Sequence, residues 1–386
     1  MSSLPAPSPD ALAHSQRLQE YIRADIATHG GWVSFARYME LALYAPGLGY
    51  YAAGAAKFGA AGDFTTAPEM SALFGRTLAR QVAQGLAHSG GDILELGAGS
   101  GRLACDLLLA LEREGQLPEQ YLILELSAEL KARQRDCLRQ NALHLLERVT
   151  WLARLPESFR GVIIGNEVLD ALPLHLVSRR DGNFYERGVG LSETGFAWHD
   201  VALNNAALQK IAEQLDLPDG YVTEINLAAP ALIASLAERL DSGLMLFIDY
   251  GFPRAEFYHP QRDQGTLMCH YRHHAHGDPF LYPGLQDITA HVDFSTVADA
   301  GIAHGCELLG YTTQAHFLIN CGITDLLAET SPEDVANYLP LANQVQRLLS
   351  PAEMGELFKV IGFGKNVDAP LLGFGHGDQR QRLEQA

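Results

Sequence analysis

An apolar run, Asp92-Ile93-Leu94-Glu95-Leu96, stops at Gly97-Ala98-Gly99-Ser100-Gly101 and gives way to a helix-forming stretch. Glycines at alternate positions permit a tight turn and close approach of a ligand to the backbone, and strand before, helix after is the setting of a nucleotide-binding βα unit. The downstream pattern agrees. Short apolar runs at 92–96, 121–126, 149–152, 161–165 and 243–249 alternate with helical patterns near 101–114, 128–141 and 227–240, as βαβ units of a parallel sheet require. Two further runs, 306–312 and 357–362, are expected as strands in a hairpin-like pair with a long connection. The expected fold class is α/β and Rossmann-like, a seven-stranded, mostly parallel sheet with helices on both faces.

The ligand can be narrowed from neighbouring residues. Glu125 closes the run after the turn, where a carboxylate can accept both hydrogen bonds of a ribose diol, and Leu126 follows it. Nicotinamide cofactors use the same geometry. Glu95 argues for S-adenosyl-L-methionine instead, because a carboxylate beside the turn suits a sulfonium or amino group and would repel a pyrophosphate. The alternate glycine spacing also departs from the wider Gly-x-Gly-x-x-Gly of dinucleotide sites. The plain alternative is a strand–helix turn that needs only small residues. Candidate cofactor contacts are Glu95, Gly97, Ala98, Gly99, Gly101, Glu125 and Leu126.

The run at 161–165 ends in Asn166-Glu167-Val168-Leu169-Asp170, which puts polar groups at the carboxyl edge where open α/β sheets bind ligands. Methyl transfer from a sulfonium is an in-line displacement, so the protein must align the acceptor and keep its lone pair free. Glu167 and Asp170, within one turn of each other, could hold a guanidinium and relieve it of a proton. Asn166, Glu167 and Asp170 are therefore the catalytic candidates. Alternatively Asp170 caps a helix and Glu167 is merely solvated.

Before this region, residues 1–9 suggest a tail, Asp10 a cap for a helix to about Thr28, and Ser34 a cap within a second helical stretch over 31–44. Another helix is expected over roughly 71–88. Residues 1–90 are taken as an N-terminal helical extension with a cofactor-covering loop, and 91–386 as the catalytic domain with insertions at about 174–203 and 252–294. The first insertion alternates apolar and polar residues between turns at Asp181-Gly182 and Glu193-Thr194-Gly195, an antiparallel pattern. The second is rich in histidine, with His270, His273, His274, His276 and His291, but shows no strong ligand motif, so no metal is expected. Asp287-Ile288-Thr289 within it looks like a helix start.

A formal charge of −18, from 46 acidic and 28 basic residues, makes nucleic acid and anionic membrane surfaces poor partners. The five cysteines form no Cys-x-x-Cys pair, no run is apolar enough to cross a membrane, and the start lacks a secretory pattern. These features suggest a cytoplasmic protein with reduced thiols.

Together, Phe35-Ala36-Arg37-Tyr38-Met39, Gly62-Asp63-Phe64-Thr65-Thr66-Ala67-Pro68-Glu69, Asn166-Glu167-Val168-Leu169-Asp170-Ala171-Leu172-Pro173, Ile248-Asp249-Tyr250-Gly251 and Pro283-Gly284-Leu285-Gln286-Asp287 carry a wider likeness. The chain resembles the MidA-type family of class I methyltransferases, which includes the mitochondrial arginine methyltransferase serving respiratory complex I assembly. The resemblance spans about 31–365. It implies S-adenosyl-L-methionine as cofactor and a protein arginine as acceptor, with a respiratory complex I subunit as the model partner. It also implies that Gly97, Gly99 and Gly101 meet the cofactor, that Glu125 takes its ribose, and that Asp63, Thr66, Pro68 and Glu69 close over its methionine end. Ala67 and Ala98 stand where family members often carry Ser and Pro, and neither removes a group the chemistry needs. A small-molecule N- or O-methyltransferase and a cofactor-binding assembly chaperone are the competing readings.

Overall fold

The computed structural model describes residues 4–52, 66–367 and 369–384. Two compact units share the chain, one comprising Met1–Phe64, Asp170–Ala229 and Arg254–His291, the other Thr65–Leu169, Pro230–Pro253 and Val292–Ala386.

The second unit contains the expected sheet. Its strands are β1 (Asp92–Leu96), β2 (Tyr121–Leu124), β3 (Val149–Leu152), β4 (Phe159–Asn166), β5 (Leu240–Phe252), β6 (Glu307–Thr313) and β7 (Phe358–Lys365). They lie in the order β6-β7-β5-β4-β1-β2-β3. All neighbours are parallel except those of β7, which runs antiparallel to β5 and β6, so the last two strands do form a pair with a long connection. A two-residue strand, Val292–Asp293, also pairs in parallel with the end of β5. The order reverses at β1, which has β2 on one side and β4 on the other. Such a switch point opens a crevice at the carboxyl ends of the strands.

Central strands buried on both faces explain the continuous apolar runs: Val162, Ile163 and Ile164 of β4 and Leu244 to Ile248 of β5 are all essentially inaccessible. Helices α1 (Ala72–Ser89), α2 (Arg102–Arg113) and α3 (Ala128–Asn141) supply much of the cover. The stripe Leu103, Leu107, Leu108 and Leu111 of α2 has the spacing of one helix face and is buried throughout. The sequence places α1 in an N-terminal extension ending at residue 90, whereas it belongs to the sheet unit. The cause is its packing. Leu78, Ala79 and Val82 are buried, and Val162 and Leu244 come so close to Gly85 that an added Cβ would lie 2.7 Å from each.

In the first unit a helix, Pro9–Thr28, is capped by Ser8 and not by the expected Asp10, since Pro9 suits the first helical position and Ser8 Oγ accepts the Ala11 N–H. Trp32–Ser34 is a strand paired antiparallel to Gly188–Gly190 of Asn183–Ser192, so the second helix is shorter than expected, Phe35–Tyr44. Ser34 caps it as anticipated, accepting the Arg37 N–H at 3.2 Å. The first expected insertion folds as the antiparallel strands His175–Arg180, Asn183–Ser192 and Gly195–Ala202. Within the second, Asp287–Thr289 is a strand on Met268–Tyr271 and not a helix start. The helix begins later, where Asp293 Oδ1 accepts the N–H groups of Ser295 and Thr296. His270, His274 and His276 lie on this small three-stranded sheet. All five cysteines are free thiols. Among the described residues no helix is long and apolar enough to cross a membrane.

Candidate active site

Two clusters of sequence-predicted residues stand at the carboxyl edge of the second unit's sheet. In the first, β1 runs into the glycine turn and Gly97, Gly99 and Gly101 adopt φ of +59°, +52° and +86°, a region that favours glycine. At Gly101 the requirement is double. A Cβ there would lie 2.9 Å from Gln134 Cα, so α2 and α3 could not approach as they do.

The side chains around the turn are buried and bonded to one another. Glu95 is 2 % exposed, and its Oε2 accepts the Tyr121 hydroxyl at 2.8 Å. Burial pushes its carboxyl up to about 7, against the opposing Tyr121 bond, and the nearby Glu125 pushes the same way. Glu125, at the end of β2, accepts the Ser127 N–H at 2.9 Å through Oε1 and Gln134 Nε2 at 3.0 Å through Oε2. Burial raises its carboxyl too, although both bonds favour the ionised form. Leu126 beside it is 76 % exposed, an apolar surface next to that carboxylate.

Gln134, which the sequence did not mark, binds these parts together. It is fully buried on α3, donates to Glu125 and to the Gly99 carbonyl at 3.1 Å, and accepts Trp151 Nε1 at 2.8 Å. No local motif points to a glutamine whose partners lie on three separate segments. Of the residues expected to cover the cofactor, Asp63 lies outside the described residues. Thr66 precedes a short helix, Ala67–Met70, in which Pro68 is buried and Glu69 accepts a hydrogen bond from the Ser100 hydroxyl of the glycine turn. Ala98 is buried in the turn.

The second cluster follows β4. Asn166 Nδ2 donates to Glu167 Oε1 at 3.1 Å, and buried Asn166 Oδ1 has no hydrogen-bond partner among the described residues. Glu167 sits at φ +52°, unusual for a residue with a side chain. Its N–H donates to the Ile248 carbonyl at 2.9 Å, while Asp249 Oδ2 accepts the N–H groups of Val168 at 3.1 Å and Leu169 at 2.8 Å. Asp249 is completely buried. Its sequence signal is a carboxylate closing the apolar run of β5. Asp170 belongs to the first unit, where it is buried and its carbonyl accepts the Ala290 N–H at 3.1 Å. No helix starts beside it: the chain passes through turns to the strand at His175.

These features fit S-adenosyl-L-methionine. The turn admits a ligand to its backbone, Glu125 offers a carboxylate beside an exposed leucine, and Asn166 Oδ1 is a buried acceptor awaiting a donor. Known proteins agree. A family model for S-adenosyl-L-methionine-dependent methyltransferases matches residues 77–312. The chain is 30% identical to the mitochondrial protein arginine methyltransferase NDUFAF7 of Danio rerio, covering 85% of this chain and 82% of that one. It is 29% identical to the homologue of Drosophila melanogaster, covering 92% and 88%. A Burkholderia thailandensis protein crystallised with S-adenosyl-homocysteine shares 54% identity at a TM-score of 0.96, covering 98% of this chain and 100% of that one. Strand order, glycine turn and these likenesses converge: the chain belongs to the MidA-type family of class I methyltransferases, and S-adenosyl-L-methionine is its cofactor.

Proposed function

We propose that the protein transfers methyl groups to an arginine guanidinium of a protein substrate, with Glu167 as the carboxylate that receives it. The carrying observation is Glu167 itself, an acidic side chain held in an unfavourable backbone conformation at the carboxyl end of β4, next to the switch point. A guanidinium is permanently protonated and presents no free lone pair, so it needs a carboxylate that binds its N–H groups and accepts a proton as the new bond forms. Bound S-adenosyl-L-methionine supplies an electrophilic methyl on a sulfonium. Asn166 holds the Glu167 carboxylate by its amide, and its Oδ1 would be an acceptor for the cofactor's amino group. Glu125 would take the ribose hydroxyls and Leu126 the base, while the backbone of Gly97 to Gly101, with Glu95, Thr66, Pro68 and Glu69, would hold the methionine portion. The names of the relatives in Danio rerio and Drosophila melanogaster favour arginine over other acceptors. Through the family resemblance, a respiratory complex I subunit is the first substrate to try.

The acceptor can be read directly by incubating the enzyme with labelled S-adenosyl-L-methionine and a lysate of cells lacking it, then mapping the label by mass spectrometry. We expect methylated arginine in protein. Label confined to small molecules would overturn the protein acceptor, and label on lysine or carboxyl groups would overturn arginine.

A further inference from the structure

We propose that Asp249 is a positioning residue for methyl transfer, its buried carboxylate fixing the backbone path that presents Glu167 and Asn166 at the carboxyl end of β4. The inference rests on the role assigned above to Glu167. Beyond Asn166 the chain leaves the sheet without entering a helix: the Glu167 N–H makes the last ladder bond, to the Ile248 carbonyl of β5, and the amides of Val168 and Leu169 have no regular partner. Asp249 Oδ2 of the same strand takes both, from 81 and 80 positions away along the chain. Oδ1 accepts the Tyr250 N–H at 3.0 Å, which fixes the carboxylate plane. Bonds to an ionised acceptor are the strong kind. Lys359, itself buried, stands opposite Asp249 in the β5–β7 register, and its Nζ donates to the carbonyls of Glu356 and Leu357.

Three consecutive amides anchored on one strand leave little freedom to the residue that begins the series. That residue is Glu167, at φ +52°. Were the anchor removed, its backbone could relax towards ordinary conformations, and the Asn166–Glu167 side-chain bond would lose its geometry. The contacts through which Asp249 Oδ2 bears on Glu167 are main-chain ones, at the N–H groups of Val168 and Leu169.

A double-mutant cycle separates this role from simple support of the fold. Wild type, Asp249→Ala, Asp249→Asn, Glu167→Gln and the two double variants are compared by initial rate of tritium transfer from S-adenosyl-L-methionine to proteins of an enzyme-free lysate. Calorimetry with S-adenosyl-homocysteine checks the cofactor side. We expect Asp249→Ala and Glu167→Gln each to lower the rate by at least about thirtyfold, with the double variants no slower than Glu167→Gln within about twofold. Affinity for S-adenosyl-homocysteine should stay within about threefold of wild type. Asp249→Asn should be intermediate, because its remaining oxygen can still accept both amides while its NH₂ opposes the Tyr250 N–H. It carries the cycle alone if Asp249→Ala fails to fold. Losses that multiply, or an Asp249 variant of undiminished rate, would overturn the positioning role while leaving Glu167 in place. A fully active Glu167→Gln would instead remove the Glu167 assignment, and the inference with it.

Discussion

The carboxyl ends of β1 and β4 lie side by side in the same sheet, yet they are built differently. Around β1 the polar side chains are closed on nearby groups: Tyr121 on Glu95, Gln134 and the Ser127 N–H on Glu125, Trp151 on Gln134. Around β4 it is the main chain that is tied down, while buried Asn166 Oδ1 has no hydrogen-bond partner among the described residues. A preformed cradle suits a cofactor whose adenosine portion is the same before and after transfer. An edge with fixed backbone and spare acceptor capacity suits a place where charge and proton must move.

Disturbing the cradle should therefore damage cofactor binding before anything else. The largest effect is expected from Gly101→Val, which puts a β-branched residue at φ +86° and a Cβ 2.9 Å from Gln134 Cα. We expect at least about a hundredfold loss of S-adenosyl-homocysteine affinity by calorimetry and about 2–4 kcal/mol of stability in denaturant titration. Gln134→Leu keeps the volume but strips partners from Glu125 and Trp151, each unsatisfied group costing about 1–3 kcal/mol. Cofactor affinity should fall about tenfold, with the melting temperature several degrees lower.

A gentler probe is pH. With its carboxyl at about 7, Glu95 is mostly protonated at pH 6 and mostly ionised at pH 8. If the cofactor's positive groups lie near it, S-adenosyl-L-methionine should bind up to about tenfold more tightly at pH 8 than at pH 6, and Glu95→Gln should flatten that dependence. The sign for folding is opposite. Because the unfolded chain gives up this proton near the ordinary value of 4.5, Glu95's contribution to stability is fully present below that pH and is lost as pH rises to about 7.

The same contrast explains what was legible in the sequence. The glycine turn, Glu95 and Glu125 are spaced by local rules, one strand and one turn at a time, and the seven strands follow from apolar runs buried on both faces. Residues whose meaning depends on distant partners escaped. Trp32–Ser34 carries helical spacing, but Gly188–Gly190 claims it as a strand. Asp287 has the chemistry of a cap and instead lies in a strand, its carboxylate accepting the Tyr51 hydroxyl at 2.9–3.0 Å. Gln134 is of this kind. Asp249 does close an apolar run, but its neighbours in sequence say nothing of the amides it meets. Asp170, only three residues from Glu167 along the chain, is where the chain passes into the other unit, a boundary no local pattern marks.

If cradle and acceptor edge are as separate as their construction implies, one substitution should show it. Glu167→Gln, measured side by side for S-adenosyl-homocysteine affinity and for methyl transfer to lysate protein, is the most direct trial. We expect affinity within about twofold of wild type and a rate at least about thirtyfold lower, since Glu167 is assigned to the acceptor and its proton and not to the cofactor. Affinity and rate falling together, or a rate that does not fall, would contradict it.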